Sequence, residues 1–241
     1  MSTNEFKTAC GLLTRFSFNL EENPDYENSL TFFPVVGLIL GGGLWLAAVG
    51  LLWLAGPKIG TIFGAVGLPL LFWWTTRGKG LQGVIWFVEH SASRIKMADY
   101  GVYWQVSFFQ GLVLVKIVCT GLLLYSGWAL WLLIVPVLSM AAFAQLWQAN
   151  TISSQKGDKG TWFSTYGHWL IAGAVVLIVA GMMNAFIGGI CTVAIVWLSV
   201  PGLEHLLCAF EGKLTENGRQ AVMETVEILT LLLGVLFFLG R

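Results

Sequence analysis

Charge is what this sequence has least of. Asp, Glu, Lys and Arg make up 11% of its 241 residues, and the 13 Lys and Arg balance the 13 Asp and Glu. A soluble domain carries roughly a quarter charged residues because its surface faces water, so a soluble fold is excluded. With neither a basic excess nor a basic-aromatic pattern, nucleic acid is excluded as a partner. Cysteine is scarce too: Cys10, Cys119, Cys191 and Cys208 lie far apart. They lack metal-ligand or redox spacing and read as small apolar packers. His90, His168 and His205 show no ligand spacing and read as interfacial. No basic segment precedes a long apolar run at the N-terminus, so no signal peptide is expected. Internal repeats and low-complexity segments are lacking.

What is there is apolar. Hydrophobic residues form 56% of the chain, and the mean hydropathy is +0.76. This composition implies an all-α polytopic membrane bundle, one integral membrane domain over residues 1–241. Residues 5–18 carry apolar positions at Phe6, Ala9, Cys10, Leu12, Leu13 and Phe16, the spacing of an amphipathic helix at the interface. Seven spans are expected: 30–54, 59–74, 103–125, 128–147, two within 169–207 divided near Gly188 and Gly189, and 221–239. Each is near the roughly 20 residues a bilayer requires. Gly37 and Gly41 have GxxxG spacing, which lets helices approach closely, and Pro136 is expected to kink the fourth span. The tryptophans mostly cap spans as an aromatic belt.

Polar loops are expected at about 75–99, 150–168 and 209–220. With alternate loops assigned to one side, 10 of the 13 Lys and Arg share the face of the N-terminus and these loops; Lys58 and Arg241 lie opposite, and Lys116 lies within a span. The positive-inside rule puts the N-terminus and the long loops in the cytoplasm. The longest polar interruption, TTRGKGLQGVIWFVEHSASRIKMAD at 75–99, carries both charge signs and an apolar patch between two spans, where chemistry would be placed. Its Gly78, Gly80 and Gly83 suit close approach to a phosphate or a sharp return of the chain at the membrane surface.

Two further features point to a site. Lys116 sits mid-span, where an ionisable side chain costs about 2.5–3.5 kcal/mol on insertion scales; it snorkels, pairs with a carboxylate or serves function. Glu224 and Glu227 lie one helical turn apart, so both point to one face. They repel unless a metal, a lysine or another cation lies between them, although a helix N-terminus also favours negative charge. Lys116 is therefore expected to approach the Glu224/Glu227 face.

Several stretches together resemble the cobalamin synthase (adenosylcobinamide-GDP ribazoletransferase) family. LLTRFSFN at 12–19 is similar to its N-terminal LTR-leu-Pro segment, and TFFPVVGLILGG at 31–42 to its phe-Pro-leu-val-Gly-leu opening of the first span. The polar stretch resembles its T-G-G-x-H-x-D-G-x-x-D-x-x-D signature, Gly101 and Lys116 the Gly and Lys that follow, and TENGRQAVMETVEILTLLL at 215–233 its closing T-G-D-x-x-G-A-x-x-E-x-x-E helix. Thr76, Gly78, Leu81 and Gly83 keep the signature's frame. The family His falls at Gly80, its three Asp at Gln82, Trp86 and Glu89, and the Asp of the closing motif at Asn217.

The resemblance implies a multi-pass enzyme of the bacterial inner membrane. It would join GDP-activated adenosylcobinamide to α-ribazole or its phosphate, release GMP and require Mg²⁺. It implies Lys116, Arg94 and Lys96 as catalytic cations, Gln82, Gly83, Thr215 and Asn217 at the substrate, and Glu89, Glu224 and Glu227 on the metal. Partners would be the two substrates, membrane lipid and other late cobalamin-pathway enzymes. An alternative is a catalytically impaired paralogue that binds corrinoid or scaffolds those enzymes. A small transporter is a third class, but its charged residues would be spread through several spans.

Overall fold

The computed structural model describes residues 3–16, 26–94, 101–154, 162–211 and 214–238, and among these there is no strand. Among the described residues nine α-helices follow in order: α1 (Thr3–Leu13), α2 (Tyr26–Ser29), α3 (Phe33–Thr75), α4 (Lys79–Arg94), α5 (Gly101–Tyr125), α6 (Ile134–Ser154), α7 (Trp162–Met182), α8 (Phe186–Glu211) and α9 (Glu216–Phe238). At about 1.5 Å per residue, the 43 residues of α3 would extend about 65 Å, twice the roughly 30 Å of a bilayer core. It is two spans in one. Gly56 breaks it with φ 77° and ψ 165°, a conformation open to glycine, and Pro57 starts the second limb. A Cβ on Gly60 would lie 2.6 Å from Leu51 O, so the limbs fold back on each other. With these two limbs, α5, α6, α7, α8 and α9 complete the seven apolar helices expected.

The centre of the bundle is α6. In its most apolar stretch 83% of the residues are buried, against 28% in those of α3, α5 and α8. Membrane helices gain no hydrophobic drive from one another, so packing between small residues decides which of them touch. The GxxxG pair does this: Cβ atoms on Gly37 and Gly41 would meet Pro136 O at 2.6 Å and Leu133 O at 2.5 Å. The expected kink at Pro136 is not formed. A 3-10 turn covers Ala129–Leu133 and α6 starts at Ile134, so Pro136 lies in its first turn, where a missing N–H leaves no helical bond unmade. The division between the fifth and sixth spans also shifts. The turn is at Met183–Ala185, with Asn184 at φ 53°, while a Cβ on Gly189 would meet Ala180 Cβ at 2.5 Å. That glycine serves the contact between α7 and α8.

The polar stretches are mostly helix. After a turn at residues 76–78, with Arg77 at φ 58° and Gly78 at φ 64°, residues 79–94 of the 75–99 stretch form α4. The 150–168 and 209–220 stretches are largely the ends of α6, α7, α8 and α9. Helix α1 buries Ala9, Cys10 and Leu13 and is tied to the turn. Arg15 N–H donates to Thr75 O at 2.8 Å and Lys79 Nζ to Leu12 O at 2.5 Å. The N-terminal helix, the 76–78 turn and the start of α9 thereby share one end of the bundle.

Candidate functional site at the junction of α4, α5 and α9

Lys116, midway along α5, meets α9 as expected. Its Nζ lies 2.6 Å from Glu224 Oε1 and 2.5 Å from Glu227 Oε2. All three side chains are buried, with residue exposures of 1–3%. Three residues advance a helix by about 300°, so the two glutamates emerge on one face of α9. Trp73, near the end of α3, completes the group. Its Nε1–H donates to Glu224 Oε1 at 3.3 Å, and its ring centroid lies 5.2 Å from Lys116 Nζ. Glu224 thus receives two donors at one oxygen. Glu227 Oε1 is buried without a hydrogen-bond partner.

The roof of this cluster is α4. A Cβ on Gly80 would lie 2.6 Å from Glu224 Oε2, and one on Gly83 would lie 2.5 Å from both Ala221 N and Asn217 O. Gly78 therefore makes the turn, while Gly80 and Gly83 admit α9. Because Gly80 opposes Glu224 and Gly83 opposes 217–221, the two helices run antiparallel. This contact decides where the other expected site residues point. Nine residues separate Gly80 from Glu89, which places Glu89 about 180° around α4 and about 14 Å along it. Gln82, Trp86 and Glu89 share the outer face; Gln82 and Glu89 are exposed, and Trp86 stacks on His90 with centroids 5.0 Å apart.

The expected grouping of Glu89 with Glu224 and Glu227 is consequently not formed. Thr215 accepts the Gly218 N–H at 3.1 Å and caps α9, and Asn217 offers its main-chain oxygen to the Gly83 contact. Arg94 ends α4, and Lys96 lies outside the described residues. Lys79 is half-buried; burial lowers its pKa, with Glu216 opposing and Arg77 adding to the effect.

Two residues carry more than the sequence indicated. Trp73 and Trp74 both read as interfacial belt, yet Trp73 turns inward while Trp74, one 100° step away, is 54% exposed with the Arg15 guanidinium 5.1 Å from its ring. The adjacent pair at a span end was the available signal, since both cannot face lipid alike. His168 is a correction: it is 1% exposed, and neither ring nitrogen has a partner.

Residues 5–93 match the family model for cobalamin-5-phosphate synthase. The match runs from α1 into the last turn of α4; Lys116, Glu224 and Glu227 lie outside it. No curated protein and no solved structure matches the chain.

The Mg²⁺ that the resemblance implies does not fit the residues as they are arranged. Mg²⁺ demands an octahedron of hard oxygens, several of them waters. Glu224 and Glu227 are closed around a buried ammonium, and the outer face of α4 brings one carboxylate where the family pattern has three. Among the described residues no group of three His, Cys, Asp or Glu side chains is placed to hold a metal ion.

Proposed function

We propose that the protein is an adenosylcobinamide-GDP ribazoletransferase, joining GDP-activated adenosylcobinamide to α-ribazole or its phosphate with release of GMP. The family match over residues 5–93 carries this reading. Its support in the fold is that the matched segment ends in α4, whose inner face closes the Lys116–Glu224–Glu227 cluster and whose outer face presents Gln82 and Glu89. Displacing a nucleotide from a diphosphate requires cations where negative charge develops and a positioned hydroxyl nucleophile. Arg94 and Lys96, which follow that outer face in the chain, supply the cations in this reading. Gln82 and Glu89 orient the substrates. Lys116 is a positioning residue, because both its carboxylate contacts are inside the bundle. No step is assigned to a metal held by the protein. The proposed setting is the inner membrane of a bacterium, with the N-terminus, the α4 side and the start of α9 in the cytoplasm.

The direct test is GMP release by the purified protein in lipid nanodiscs, supplied with adenosylcobinamide-GDP and α-ribazole or its phosphate. Release that falls at least tenfold on Arg94→Ala or Lys96→Ala supports the reading. Corrinoid binding with no turnover at any Mg²⁺ concentration refutes it. That outcome would establish the second reading, a binding paralogue, which the single carboxylate at Gln82, Trp86 and Glu89 favours.

A further inference from the structure

The groups around Lys116 Nζ have the chemistry of an ammonium receptor. Two carboxylate oxygens approach it at 2.6 and 2.5 Å. The face of Trp73 stands 5.2 Å away, and the Nε1–H bond from Trp73 to Glu224 fixes that ring. An ammonium has three N–H donors, and the face of a tryptophan attracts it as a cation. A hard divalent ion gains nothing from an aromatic face, which has no lone pair to coordinate, and it retains water. Beside the nitrogen lies a cavity of about 40 Å³ lined by Lys116, Thr120 and Glu227 among apolar residues including Phe72 and Leu231. The unpartnered Glu227 Oε1 leaves one acceptor still unused.

We propose that Glu224, Glu227 and Trp73 form an alkylammonium-binding pocket whose ligand is supplied by the chain itself, through Lys116. The ammonium engages both carboxylates from within, offsetting one of their two charges, and they are not available to a divalent ion. This stands independently of the transferase reading, since its readouts are thermal and spectroscopic and do not involve turnover.

The test uses the full-length protein in nanodiscs, followed by its melting temperature and by tryptophan fluorescence, to which Trp73 contributes. For the wild type, adding Mg²⁺ or EDTA should shift the melting temperature by no more than about 2 °C. A larger rise with Mg²⁺ that Glu224→Gln or Glu227→Gln removes would overturn the proposal. Lys116→Ala vacates the pocket and extends the neighbouring cavity. Its melting temperature should fall, ethylammonium should recover at least half of the loss, and equal concentrations of tetramethylammonium, which has no N–H, or of Mg²⁺ should not. Recovery by Mg²⁺, no recovery by ethylammonium or no loss at all would each overturn it. If Lys116→Ala does not fold, the Mg²⁺ and EDTA titration of the wild type decides.

Discussion

Gly83→Ala is a single methyl group added where two backbones touch. The new Cβ would lie 2.5 Å from Ala221 N and Asn217 O and 2.7 Å from Gln220 Cβ. Ordinary contacts begin near 3.5 Å, so α4 must retreat by about 1 Å from α9. Main-chain atoms cannot rotate away as a side chain does. Overpacking of this kind costs about 1–3 kcal/mol, and the better helix propensity of alanine returns up to about 1 kcal/mol. With overpacking at the middle of that range, about 2 kcal/mol, a net loss of about 1–2 kcal/mol follows, and at about 2–4 °C per kcal/mol for a chain of this size the melting temperature falls by about 2–8 °C. The matched control is Gly111→Ala in α5, where a Cβ meets nothing within 4 Å; propensity alone acts there, and the variant should melt at or slightly above the wild type. Thermal unfolding by circular dichroism compares them, and hydrogen exchange should show protection lost first in residues 79–94. If Gly83→Ala melts at or above the wild type, α4 does not pack on α9 as described.

Three other predictions follow from the same structure. Lys116→Met strands Glu224, whose attraction to the ammonium at 2.6 Å is about 6 kcal/mol gross at an effective dielectric constant near 20. Glu227, which shares the same ammonium, is stranded with it; a net loss of about 3–5 kcal/mol is expected, most of which Lys116→Met/Glu224→Gln/Glu227→Gln should recover, and a triple mutant as unstable as the single one would contradict the pairing. His168→Leu removes a buried imidazole with two unpartnered nitrogens and should leave stability unchanged or raise it by about 1 kcal/mol, whereas a loss above about 2 kcal/mol would mean that His168 has a partner. Because burial holds Lys79 below its ordinary 10.5, the folded state binds that proton less well than the unfolded state. Docking of α1 should therefore strengthen as pH rises from the folded value towards 10.5; Lys79→Met should flatten that dependence, measured as protease protection of residues 3–13.

The span plan was legible because lipid imposes a simple rule: about 20 apolar residues, with every backbone group satisfied inside the helix. The sequence alone therefore settled the all-α class, the seven apolar helices and the break between residues 54 and 59. It also raised the expectation that Lys116 would approach the Glu224/Glu227 face, since each otherwise carries an unpaired charge in apolar surroundings. Heptad-like spacing could likewise show that Gln82, Trp86 and Glu89 share a face. It could not show which neighbour occupies the face opposite. That depended on Gly80 and Gly83 matching the surface of α9 more than 130 positions away, a contact made by shape and carrying no charge or periodicity of its own. The tertiary structure alone turned Glu89 outward, brought Trp73 in against Glu224 and placed an ammonium between the two glutamates. One pair of carboxylates suits a lysine or a metal ion equally well in sequence, and only distance, burial and an aromatic wall distinguish the two.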